Sequence, residues 1–202
     1  GTAGTSATTA SVTLTTGRLY FIYVTMRRGD STDVAAPTSV VRGAQAFTII
    51  DATNGLNLTD TSSSSRRGAW MGYCIPASDT TGTIVITFAA SKTNIQWVVV
   101  EITSGFDSGT PILQTQKMAD EDGTGTSSTL TFGSGMASDS IVIAGYNDGS
   151  AGTMGPGTGY TELVEVAGDP ATAVAHNASP DTTFDFSYTL GEQVGAIAVE
   201  VK

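Results

Sequence analysis

The stretch Ile95-Gln-Trp-Val-Val-Val-Glu-Ile-Thr103 decides the reading of the fold. Successive side chains of a strand point to opposite faces. Ile95, Trp97, Val99 and Glu101 therefore share one face, and Gln96, Val98, Val100 and Ile102 the other. Both faces are largely apolar. A strand with one face in water would alternate cleanly with polar residues, so this one is expected to lie centrally, covered on both sides.

Working outward, the same period of two recurs and no segment carries a convincing helical repeat. The first half offers strands at Ser11–Thr15, Leu19–Arg27, Ala46–Asp51, Gly68–Ile75 and Thr83–Ala89, before Ile95–Thr103. The second half offers Ile112–Lys117, Ser128–Phe132, Ser140–Tyr146, Tyr160–Val166, Thr172–Asn177, Thr183–Thr189 and Ala196–Val201. Gly, Pro, Asn, Asp and Ser fill the gaps and supply turn geometry. Many short strands at this spacing predict an all-β chain, an antiparallel β-sandwich of jelly-roll-like kind.

The two halves echo each other. Ser11-Val-Thr-Leu-Thr15 resembles Ser128-Thr-Leu-Thr131, and each precedes an apolar strand, Tyr20–Val24 or Ile141–Ala144. Gly82-Thr-Ile-Val-Ile-Thr-Phe88 matches Thr182-Thr-Phe-Asp-Phe-Ser187 in pattern, and Val99-Val-Glu-Ile102 matches Ala198-Val-Glu-Val201. The preserved order predicts two pseudo-repeated halves, residues 1–108 and 109–202. They are either separate sandwiches or fused into one, and the turn Ser104–Pro111 is the natural boundary.

Composition narrows the function classes. Of 202 residues, 33 are Thr, 24 Gly and 20 Ser, far from the Ala, Glu, Lys and Leu of coiled coils. A 40% hydrophobic content fills a core and argues against disorder. A net charge of -10 with nine scattered basic residues argues against nucleic-acid binding. Cys74 stands alone, so no intrachain disulfide or Cys-based zinc site forms. No apolar run approaches the roughly 18 residues of a membrane-spanning helix. The segment Gly1–Thr5 lacks the basic and apolar regions of a signal peptide. Low charge with abundant Thr and Ser suits an exposed, extracellular or virion protein.

Charge is divided unequally. Residues 1–110 hold seven basic and seven acidic side chains, whereas residues 111–202 hold two basic and twelve acidic. All six arginines lie between Arg18 and Arg67. Arg favours interfaces and grips carboxylates with two parallel bonds. The pairs Arg27-Arg28 and Arg66-Arg67 are therefore candidates for docking onto an acidic surface; the alternative is that they cap strand ends.

Residues able to do chemistry are few. His176 is the one histidine, and no Gly-x-Ser-x-Gly elbow accompanies it. Glu101 and Glu200 form the one suggestive carboxylate pair, at matching repeat positions, which points to architecture instead of glycoside chemistry. The glycines of 149–159 lack the Lys and strand-to-helix context of a phosphate loop. The chain is therefore not expected to be an enzyme. Asp120, Glu121 and Asp122 precede a turn glycine and offer oxygen ligands to a structural calcium, without the spaced loop of an EF-hand; a solvated acidic turn is the plainer reading. Arg28-Gly-Asp30 spells a short adhesion signal. A glycan platform would need exposed aromatics on one face, whereas Trp70, Tyr73 and Trp97 sit in apolar strands and are expected to pack inward.

Gly105-Phe-Asp-Ser-Gly-Thr-Pro-Ile112 with Gln114, Gly159-Tyr-Thr-Glu-Leu163, Arg67-Gly-Ala-Trp70 and the closing Ile197-Ala-Val-Glu-Val201 resemble segments of β-sandwich surface proteins of tailed phages and bacteria. The resemblance implies a virion or cell-surface role, such as a head decoration (cement) protein or tail-associated module, with no catalytic residues to transfer. The implied partners are copies of the chain and a capsid subunit. The alternatives are an extracellular filament joined by donation of the uncharged strand Thr2–Thr15, and a carbohydrate-binding adhesin.

Overall fold

A computed structural model describes residues 2–28, 35–50, 56–58, 66–120, 124–133, 135–149, 152–189 and 193–202. Every regular element in it is a strand. In chain order they are β1 (Thr2–Leu14), β2 (Leu19–Arg28), β3 (Ser39–Arg42), β4 (Gln45–Ala46), β5 (Thr48–Ile50), β6 (Leu56–Leu58), β7 (Arg66–Cys74) and β8 (Thr80–Ile102). The second half holds β9 (Ile112–Asp120), β10 (Ser127–Thr131), β11 (Ile141–Asp148), β12 (Gly155–Pro156), β13 (Thr161–Val166), β14 (Ala171–Asn177), β15 (Thr183–Ser187) and β16 (Val194–Val201).

β8 organises the first half. Its first part pairs with β1 and β3, and its second part pairs with β2, which continues through β7 to β5 and β6. One eight-stranded antiparallel sheet thus folds over on itself into two layers. Leu14, Tyr20, Ile22, Val24, Trp70, Ile84 and Ile86 fill the core between them. The second half builds its pair of layers from separate sheets, β13-β14-β11-β16-β9 and β10-β15-β12. Val142, Ala144, Tyr146, Phe184 and Phe186 lie between these. The Phe184 and Phe186 rings stack with centroids 5.6 Å apart.

The connectivities match: β1, β2, β3, β7 and the two parts of β8 correspond to β10, β11, β12, β14, β15 and β16, in the same chain order and with the same neighbours. The repeat read from the sequence is therefore a repeat of topology. In register, Tyr20 faces Glu101 as Val142 faces Glu200.

A third core joins the halves. Leu19, Phe21 and Tyr23 of β2 with Val98 of β8 meet Ile143, Val174, Ile197 and Val199 from the second half. Alternate residues of β2 thus enter different cores, which explains why both faces of the central strands are apolar. The arrangement is four layers deep, with both inner sheets buried on both faces. Residues 1–108 and 109–202 meet in the coil between β8 and β9, and this third core spans them.

Two boundaries differ most from expectation. β1 begins at Thr2, not Ser11, because the small residues Thr, Ser and Ala ahead of Ser11 pair along β8, with Ala7 and Thr9 turned inward to burial. Thr83–Ala89 and Ile95–Thr103 form one strand, since Ala90–Asn94 contains no Gly or Pro to break it. Asn94 carries the change of direction with φ at 51°, a left-handed conformation that Asn tolerates.

Candidate functional site

The pairing of β1 with β8 stops at Thr2 opposite Ile95. From Gln96 to Ile102, β2 occupies one edge of β8 and no described strand occupies the other. Beside this open edge runs a groove of about 490 Å³, floored by Val98–Glu101, with Val12 on one wall and Leu163, Val164 and Val166 on the other. Leu163 is 43% exposed and Val164 36%; with Leu113 they are the exposed large hydrophobic residues among those described. A bulge in β13 between Glu162 and Val164 turns Leu163 into the groove. Sequence reasoning missed this site, since a bulge position carries no periodic signature.

At the end of the groove, Glu101 accepts hydrogen bonds from the Tyr20 hydroxyl and from Arg18 Nη1 at 2.9 Å. The Tyr20 bond first, then Arg18, holds its carboxyl below the usual range. Glu200, at the equivalent position, is buried and accepts from Gln114 Nε2 and the Ala137 amide, both at 2.7 Å. The two carboxylates serve corresponding strand ends on opposite halves and do not converge.

Arg27 and Arg67 turn toward the second half. Arg27 Nη1 lies 2.5 Å from Asp169 Oδ2, and Arg67 Nη2 lies 3.3 Å from Asp169 Oδ1. Arg67 Nη1 also donates to Gln193 Oε1 at 2.9 Å. The acidic surface these two meet is the chain's own second half. Arg28 and Arg66 face each other in the β2–β7 register, with side chains outside the described residues. Nearer the centre, the Tyr23 hydroxyl donates to Asn147 Oδ1 at 2.9 Å, and the Thr25 and Thr172 hydroxyls share a hydrogen bond.

His176 sits on β14 opposite Thr161 and Ile143, beside a shallow hollow that Leu163 and Ser104 also line. No hydrogen bond ties it to a carboxylate among the described residues. Asp120 accepts from the Tyr188 hydroxyl at 2.9 Å, while Glu121 and Asp122 lie outside the described residues, as do Gly29 and Asp30. No three metal-ligating side chains gather among the described residues. Trp70 is buried against Phe88, and Trp97 and Tyr73 pack on the first and third cores.

No family model, curated protein or solved structure matches this chain. The likeness to phage surface proteins thus rests on the short motifs alone, and the geometry must carry the functional reading.

Proposed function

We propose that this chain is a structural protein of a virion surface, a capsid decoration or cement protein that acts through contact between subunits. One observation carries the reading: a body packed in three cores presents, at one side, an apolar strand edge with no described strand against it, next to exposed Leu163 and Val164. Isolated exposed apolar residues are ordinary, but a contiguous apolar groove along an open edge is a contact surface. The mechanism is passive. Sheets buried on both faces hold their shape, and the open edge and surrounding loops supply the contacts.

The filament alternative is less favoured, because Thr2–Leu14 already pairs with β8 of its own chain and would have to exchange that pairing for a neighbour's. The adhesin alternative lacks its platform, since Trp70, Tyr73 and Trp97 face cores. Immunogold labelling of virus particles and cells from the native source, with antibody against the recombinant chain, tests the proposal. Regular labelling of particle shells supports it. Label confined to the cell interior refutes it, and label along filaments transfers the chain to the alternative.

A further inference from the structure

Arg18 pairs with Glu101, and Arg27 and Arg67 pair with Asp169; among the arginine side chains described, Arg42 alone meets no carboxylate. It ends β3 two residues after buried Val40, so it points to the core side and its head group sits at the end of the first core. There the guanidinium lies face-on against β8 at Gly82, where an added Cβ would fall 2.9 Å from Cζ and Nη2 and 3.0 Å from Nε. The missing side chain of Gly82 is thus the seat of the arginine head group. Beside it is a pocket of about 260 Å³, between the turn at residues 42–45 and the loop ahead of β8, with Ser78 and Thr80 on its wall. Arg42 Nε and Thr80 Oγ1 are both buried, with no hydrogen-bond partner among the described residues. Buried polar atoms are nearly always bonded, so two orphans beside one pocket ask for a ligand.

The fold does not require a cation at this place. β12 pairs Gly155 and Pro156 with Ser187 and Phe186 as β3 pairs Ser39 and Val40 with Thr87 and Ile86, which makes the neutral Thr158 the counterpart of Arg42. Asp79, the acid of the neighbouring loop, is engaged elsewhere: its Oδ1 accepts from the Thr16 amide at 2.7 Å. Thr80 faces Leu14 in the register, at the end of β1 remote from Thr2, and the pocket shares no lining residue with the groove beside Gln96–Ile102.

We propose that this pocket binds the carboxylate of a small hydroxylated acid, either a free hydroxy acid or an acidic sugar unit. Arg42 grips the carboxylate, and Ser78, Thr80 and Gln45 take the hydroxyls. This goes beyond the contact role above. The edge of a guanidinium matches a planar carboxylate with two parallel bonds. A single cation balances a single negative charge, and in a chain of net charge -10 the second charge of a phosphate has nothing to meet it. The polar wall suits hydroxyl groups, and recognition of this kind needs no aromatic platform.

The experiment is a ¹H–¹⁵N NMR titration of the labelled chain with glycolate, galacturonate, acetate, galactose and inorganic phosphate. Saturable shifts confined to the amides of 42–45 and 77–80 are expected with glycolate or galacturonate, and the tighter of the two names the source. Acetate, galactose and phosphate are each expected to bind at least about tenfold more weakly. Arg42→Gln is expected to abolish the shifts. Arg42→Lys is expected to weaken binding at least about tenfold, because a point charge does not replace the fork. Thermal melting separates a binding role from a structural one: Arg42 holds no described partner, so Arg42→Gln should melt no lower than the parent. The proposal is overturned if neither hydroxylated acid gives saturable shifts, or if binding survives Arg42→Gln. It is also overturned if acetate or phosphate binds as tightly as the hydroxylated acids, or if Arg42→Gln unfolds the chain more readily. None of these results depends on the particle labelling, so a failure of either reading is recognised separately.

Discussion

Gly145 of β11 lies where the two halves cross. A Cβ added there would fall 2.4 Å from two ring carbons of Tyr23, at least an ångström inside ordinary contact. The ring cannot retreat. Tyr23 is 1% exposed, and its hydroxyl is held by Asn147 from the same strand as Gly145. Gly145 has no left-handed φ, so the position needs a glycine for space and not for backbone freedom. Overpacking of this kind costs about 1–3 kcal/mol. At roughly 2–4 °C per kcal/mol for a chain of this size, Gly145→Ala is expected to lower Tm by about 2–12 °C.

The assay is urea unfolding followed by the fluorescence of Trp70 and Trp97, with calorimetry for Tm. Gly133→Ala, whose new Cβ meets nothing nearer than 3.7 Å, is the control and is expected within about 0.5 kcal/mol of the parent. The decisive measurement repeats Gly145→Ala in a Tyr23→Leu background. With the ring gone, the methyl enters vacated space, and the cost of Gly145→Ala is expected to fall to nearly nothing, a coupling of about 1–3 kcal/mol. If Gly145→Ala costs the same in both backgrounds, the ring is not what excludes a side chain and the reasoning fails.

Other expectations follow from the buried groups. Cys74 is buried in the first core, which pushes its thiol up to about 12; native protein at neutral pH is expected to resist alkylation until denaturant is added, and prompt labelling of folded chain would contradict its placement. Burial raises Tyr23 and Tyr146 above the ordinary 10.0. A raised value stabilises the fold below the unfolded-state pKa and is lost as pH climbs toward the folded one, so stability is expected to fall above about pH 10. Tyrosinate absorbance of these two should appear only with unfolding. Arg67 is the more enclosed of the two inward arginines, its side chain 12% exposed, and Arg67→Met is expected to cost about 1–2 kcal/mol. Arg27→Met, between half-exposed partners, should cost about 0.2–1 kcal/mol and less in high salt. A reversed order in urea titrations would show that burial does not set the strength of this joint.

The fold was legible wherever side chains alternate strongly. The two apolar faces of Ile95–Thr103 and the paired motifs Val99-Val-Glu-Ile102 and Ala198-Val-Glu-Val201 already imply layers on both sides and a duplication. β1 was legible only at its end, because a strand of Thr, Ser and Ala has almost no hydrophobic contrast between its faces. The arginine cluster was visible, but not its partner: Asp169 is one of twelve acidic residues in the second half, and only the folded register selects it. The groove was invisible for a different reason. It lies along a strand edge that no described strand covers and beside a bulge in another strand, and neither leaves a pattern in the sequence.

A duplicated chain folded on itself meets a restriction that a true dimer also meets, and the two solve it differently. Tyr23 and Gly145 occupy equivalent positions, and they touch each other. Two tyrosines there would claim one volume, so the halves have diverged into a large and a small residue that fit. A pair of identical copies cannot diverge in this way. Whatever residue stands on their axis meets itself, and neither a tyrosine facing a tyrosine nor a glycine facing a glycine packs such a joint well.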